Sequence, residues 1–134
     1  MSFMQEKEIE FLQERYQESK AFEEQLGFIS QQLEELGNFR LHLKDFDESK
    51  ERKILASIGK GIYVESELKN KSLFVDVGAN ILVKKTSKET IEIIEQQIRR
   101  LGEFKIQLNE RLETLAFEMQ KSLSNLDETK SNEK

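Results

Sequence analysis

Residues 91–126 read IEIIEQQIRR LGEFKIQLNE RLETLAFEMQ KSLSNL. Ile91, Ile94, Ile98, Leu101, Leu108, Leu112, Leu115, Met119 and Leu126 fill 9 of the 11 positions on a three-four beat, and only Lys105 and Ser122 break it. Off the beat, 6 of 25 residues are apolar: Ile93, Phe104, Ile106, Ala116, Phe117 and Leu123. A seven-residue repeat sustained this long makes a narrow apolar seam, and a narrow seam needs a second helix along it. The stretch therefore predicts a long coiled-coil arm.

The second helix is expected over residues 3–48. Ile9, Leu12 and Tyr16, then Phe22, Leu26, Ile29, Leu33 and Leu36, keep helical spacing; Phe39, Leu43 and Phe46 continue it with a small phase shift. Gly27 and Gly37 interrupt the interior at about 1 kcal/mol each relative to alanine, which predicts local bending without termination. The seam helix itself is expected over 87–126. Thr86 followed by Glu89 reads as a capping box that starts it. Residues 127–134 read as a polar tail prone to fray.

Between the helices the pattern changes. Ile54-Leu55-Ala56-Ser57-Ile58 is a short apolar run, and Gly59-Lys60-Gly61 is a turn signal. Ile62, Val64 and Leu68 alternate with Tyr63, Glu65 and Glu67. A second turn at Lys69-Asn70-Lys71 leads to Leu73, Val75 and Val77 alternating with Phe74 and Asp76. Gly78-Ala79-Asn80 tolerates positive φ, and Ile81-Leu82-Val83 closes the set. Residues 53–85 thus predict four short strands in two consecutive hairpins.

The architecture follows from lengths. Two helices of about 60 to 70 Å each, joined by a β segment too short to run back along them, must be antiparallel, with residue n facing roughly residue 136 − n. The fold class is α+β: one domain over 1–134, a long antiparallel two-helix coiled coil with two β-hairpins at the bend. Isolated hairpins are marginal in water and their edges invite further strands. Ile62, Val64, Leu73, Val75, Val77, Ile81 and Val83 need partners from other chains, so the strands are expected to complete a β-barrel by oligomerisation.

Composition bounds the function. The chain has 134 residues, no cysteine and no proline, where an average chain of this length carries about 7 prolines. Uninterrupted helix suits a chain without proline. Thiolate metal sites and disulfides are excluded. The net charge is −5, which disfavours nucleic acid and membrane surfaces as partners; Lys84-Lys85 and Arg99-Arg100 read as solvated surface. The N-terminus lacks a basic start and an apolar core, and no apolar run approaches the ~20 residues that span a bilayer, so a cytoplasmic location is expected. His42, the one histidine, reads as a helix-surface or seam-edge residue, and Gly59-Lys60-Gly61 lacks the spacing of a phosphate loop. With one histidine and no cysteine, no nucleophile–base pair can be argued. No enzyme, metal or cofactor is expected.

The residues Gly59-Lys60-Gly61-Ile62-Tyr63-Val64-Glu65-Ser66-Glu67-Leu68, then Leu73-Phe74-Val75-Asp76-Val77-Gly78-Ala79-Asn80, then Val83-Lys84-Lys85-Thr86 and the opening of the second helix, resemble the α-type subunit of prefoldin in an archaeal-like form. The order helix, hairpin, hairpin, helix covers nearly the whole chain, and two hairpins in place of one point to the α type. Ser57 stands near a position where the family often has proline, and Asn80 stands where glycine is common. The resemblance implies a hexamer of two α-type and four β-type subunits. It also implies ATP-independent capture of non-native polypeptides and delivery to a group II chaperonin. Capture needs apolar surface that water can reach. Phe3, Met4 and Phe11 of the first helix and Phe117 and Leu123 of the second are the candidate client-binding residues at the arm tips, against the simpler reading that Phe11 and Phe117 only widen the seam. A structural coiled-coil scaffold or filament-forming protein is the alternative.

Overall fold

The computed structural model describes residues 2–132. Helix α1 (Phe3–Glu48) is followed by strands β1 (Lys53–Gly59), β2 (Ile62–Glu67), β3 (Leu73–Asp76) and β4 (Leu82–Lys85) and by helix α2 (Ser87–Asn132). The predicted order of elements holds throughout. Helix α2 does not stop near Leu126: it continues to Asn132, so the part of the expected polar tail that lies within the described residues is helical. Residues 133 and 134 lie outside them. The chain divides into two compact units, one of residues 1–34 with 100–134 and the other of residues 35–99.

In the first unit the helices run antiparallel. Glu8 accepts a hydrogen bond from Ser122, Arg15 Nε lies 3.1 Å from Glu118 Oε2, and Arg111 Nη2 lies 2.8 Å from Glu18 Oε1. The partner on α2 falls as the residue number on α1 rises. The register differs from the relation expected from lengths: Glu8 meets Ser122 where that relation gives 128, and Glu18 meets Arg111 where it gives 118. Equal rod lengths fix the direction of pairing, but only cross-helix side chains fix its offset.

Every α2 position on the three-four beat in this unit is buried or half-buried, including the two breaks. Ser122 is buried because it pairs with Glu8. Lys105 is half-buried, as a long aliphatic stem allows. Leu115 is 0% exposed, and Ile29 and Leu108 are buried with it. Helix α1 contributes positions 5, 8, 12, 15, 19, 22, 26, 29 and 33, all buried or half-buried. This is a strict heptad, and it corrects the apolar stripe read from the sequence. Tyr16 is 54% exposed and Arg15 takes the seam position beside it. The run from Phe22 to Leu33 has the same heptad phase, and that phase continues outward to Arg15 and Glu8 although those residues are charged.

Both helices start on capping boxes. Thr86 Oγ1 accepts from the Glu89 amide at 3.1 Å while Glu89 Oε1 accepts from the Thr86 amide at 3.3 Å. Ser2 and Gln5 do the same at α1: Gln5 N–H donates to Ser2 Oγ at 3.2 Å and Ser2 N–H donates to Gln5 Oε1 at 3.1 Å. Helix α1 is unbroken through Gly27 and Gly37.

In the second unit the strands form two separate antiparallel hairpins. In the first, Ala56 pairs with Val64 and Leu55 with Glu65, with an irregularity between Ser57 and Gly59. Gly59, Lys60 and Gly61 all have positive φ (116, 52 and 76°), which explains glycine at two of the three positions. In the second hairpin Val75 pairs with Val83. Its turn carries Gly78, Ala79 and Asn80 at φ of 109, 52 and 60°, and Asp76 Oδ1 accepts from the Gly78 amide at 2.9 Å. Lys71 ties the loop between the hairpins to the end of α1: its Nζ donates to the Asp47 carbonyl at 2.8 Å and to the Ser49 carbonyl. The last turn of α1 has no basic residue of its own, so Lys71 supplies the cation that a helix C-terminus favours. Leu43 and Ile94 are the buried apolar residues of this unit. Phe39, read from the sequence as part of the stripe, is exposed, and the seam beat falls on half-buried Arg40.

Candidate functional site

Two surfaces stand out, the strand faces of the second unit and the helix flanks of the first. Among the residues expected to need partners, Ile62, Val64, Val77 and Ile81 are exposed, and Leu73, Val75 and Val83 are half-buried. The expectation placed the apolar demand on one face of each ribbon. The structure adds Ile54, Leu55, Ile58, Tyr63, Phe74 and Leu82, all exposed, with Leu55 at 70%. In the second hairpin Leu73, Val75 and Val83 share one face, and Phe74 and Leu82 lie on the other. The signal was in the sequence: Ile54-Leu55 and Phe74-Val75 are adjacent apolar residues, and in a strand adjacent residues point to opposite faces. A strand apolar on both faces is the pattern of a sheet covered on both sides.

In the first unit Phe3 (69% exposed), Met4, Phe117 (68%) and Leu123 are open to solvent, whereas Phe11 is half-buried. Leu115 and Met119 carry the seam beat, so Phe117, between them, turns away from it. Its exposure removes the seam-widening reading for that residue. Phe11 flanks the seam, with the Arg15 guanidinium 4.6 Å from its ring centre. The Lys7 ammonium lies 4.7 Å from the Phe3 ring centre and that of Lys20 5.7 Å from Tyr16. A shallow concavity lies beside Phe11, bounded by Glu14, Glu118, Lys121 and Ser122.

The polar layer at this end is held by charge. Arg15 and Glu118 approach within 3.1 Å, but Arg15 Nε and Glu118 Oε2 are buried without an aligned hydrogen bond. Arg111 donates to Glu18 through both Nε and Nη2, and the Glu18 carboxylate raises the Arg111 pKa from its ordinary value, chiefly through that hydrogen bond. His42 is exposed. Among the described residues no group of histidine, aspartate and glutamate is arranged to hold a metal, and no helix is long and apolar enough to cross a membrane.

Two long helices separated in the chain by two antiparallel hairpins, with apolar residues bare on both ribbon faces, define a subunit fold of the helical-hairpin type. The chain belongs to the prefoldin family: residues 15–132 match the family model described as Prefoldin subunit. A curated relative, prefoldin subunit alpha of Methanosphaera stadtmanae, is 26% identical over 74 residues, covering 55% of this chain and 54% of the relative. The match therefore spans about half the length of that relative. Among solved structures, the cryo-EM structure of filamentous PFD from Methanocaldococcus jannaschii superposes with a TM-score of 0.71 over 86% of this chain and 97% of that one, at 20% identity. The α+β fold read from the sequence is thus the prefoldin fold.

Proposed function

We propose that the chain is an α-type subunit of a cytoplasmic, ATP-independent chaperone. It assembles with β-type prefoldin subunits, two α with four β, through strands that close into a barrel. The helical arms capture non-native polypeptides and the complex delivers them to a group II chaperonin. No catalysis, cofactor, nucleic acid or membrane is involved. The observation that carries capture is the set Phe3, Met4, Phe117 and Leu123, exposed on helices whose apolar seam is already filled. Large rings and adaptable methionine suit promiscuous contact, and several arms acting together add avidity. The apolar ribbon faces support assembly, because water-facing strands of this composition gain most from pairing with strands of sister chains.

The test replaces Phe3, Phe11, Phe117 and Leu123 with serine and measures aggregation of a denatured client in the presence of the assembled complex. Loss of protection with intact assembly is expected; full protection would refute the role of these residues.

A second reading, a coiled-coil scaffold that polymerises through its strands, draws on the filamentous state of the similar archaeal structure. Mass in solution separates the two. The chaperone reading expects a small assembly that becomes a defined heterohexamer on addition of a β-type subunit. The scaffold reading expects long polymers of the chain alone.

A further inference from the structure

The charge of the helical arm narrows which non-native segments it takes, an inference that rests on the capture role proposed above. The net charge is unevenly divided. Residues 1–34 and 100–134 hold 15 Asp and Glu against 9 Lys and Arg, whereas residues 35–99 hold 11 against 12. The whole excess of negative charge belongs to the unit that bears Phe3 and Phe117.

The local pattern is sharper. Phe3, Lys7, Phe11 and Arg15 recur every fourth residue and form one row along α1, with each cation placed on the preceding ring. Glu6, Glu10 and Glu14 form the neighbouring row at the same spacing. All three are exposed, and among the described residues none takes part in an ion pair. Like charges four apart on a helix repel, and among the described residues no ion pair relieves this row. Of the nearby cations, Arg15 pairs with Glu18 and Glu118, Arg111 with Glu18, and Lys7 lies on the Phe3 ring, while Lys121 lines the same concavity as Glu10 and Glu14 without an ion pair to either among the described residues. On α2, Asp127 and Glu128 are exposed and likewise without an ion pair among the described residues.

We infer that the arm selects non-native segments in which apolar residues are interspersed with lysine or arginine, and rejects acidic ones. Apolar side chains of the segment cover Phe3 and Met4 while its cations neutralise the glutamate row. Opposed charges also speed encounter and exclude like-charged competitors.

The test titrates labelled, unstructured peptides into the assembled protein by fluorescence anisotropy: three with identical apolar residues, interspersed with lysine, glutamine or glutamate, and a fourth, lysine-bearing control without apolar residues. At low salt the lysine peptide is expected to bind about tenfold more tightly than the glutamate peptide, with the glutamine peptide between. The difference should collapse at about 0.5 M salt, where screening acts within a few ångströms. The combined variant E6Q/E10Q/E14Q should bring the lysine peptide toward the glutamine peptide. Equal binding of the lysine and glutamate peptides would overturn the inference, as would a lysine peptide without apolar residues that binds as tightly as the apolar one. In both cases binding of the glutamine peptide leaves the capture role standing. If none of the three binds, the capture role itself fails.

Discussion

Replacing Leu115 with alanine probes the seam at its most enclosed point. Leu115 is fully buried. Arg111 and Glu118 lie one turn before and one turn after it on the same side of α2, and both are tied across to α1 by Glu18 and Arg15. Removing a fully buried leucine side chain forfeits about 2 kcal/mol of transfer free energy. The cavity term adds to this, and in enclosed cores the total reaches about 3 to 5 kcal/mol. A seam only two helices wide can partly collapse, so about 3 kcal/mol is expected for Leu115→Ala. Phe117→Ala is the control, because Phe117 is larger but turned to solvent; its cost should stay within about 0.5 kcal/mol. The assay is denaturant unfolding of the assembled protein followed by helical circular dichroism, with both variants at the same protein concentration. A Leu115→Ala cost no greater than that of Phe117→Ala would refute the assignment of the seam, and with it the phase from which the exposed residues were identified.

Gly27→Ala should stabilise the protein by about 0.5 to 1 kcal/mol, because a Cβ there meets nothing within 4 Å and the helix is continuous, whereas Gly78→Ala, at φ +109°, should lower the melting temperature. Lys71→Met should cost about 1 kcal/mol by freeing the Asp47 and Ser49 carbonyls at the end of α1, measured as an earlier unfolding midpoint.

How much of this was legible in the sequence depends on where each signal is stored. The heptads of α2 were complete enough to name every fully buried position between residues 91 and 126, and even the two residues that broke the beat, Lys105 and Ser122, followed it in space. The Thr86–Glu89 box and the glycine-marked turns were readable because capping and positive φ are local demands on particular residue types. The Ser2–Gln5 box carries the same signature at the start of α1. Helix α1 was harder. Its outer half carries Gln5, Glu8, Arg15 and Ser19 on the seam, where apolar spacing alone points to Tyr16.

The sequence alone determined the elements, their order and the antiparallel direction, because periodicity, caps and turn residues act over a few neighbours along the chain. Only the tertiary structure decided the register and the faces. The offset between the helices is set by Glu8 with Ser122, Arg15 with Glu118 and Glu18 with Arg111, pairs about a hundred residues apart that no local pattern links. Whether Phe117 is seam or surface likewise depends on where the opposite helix lies.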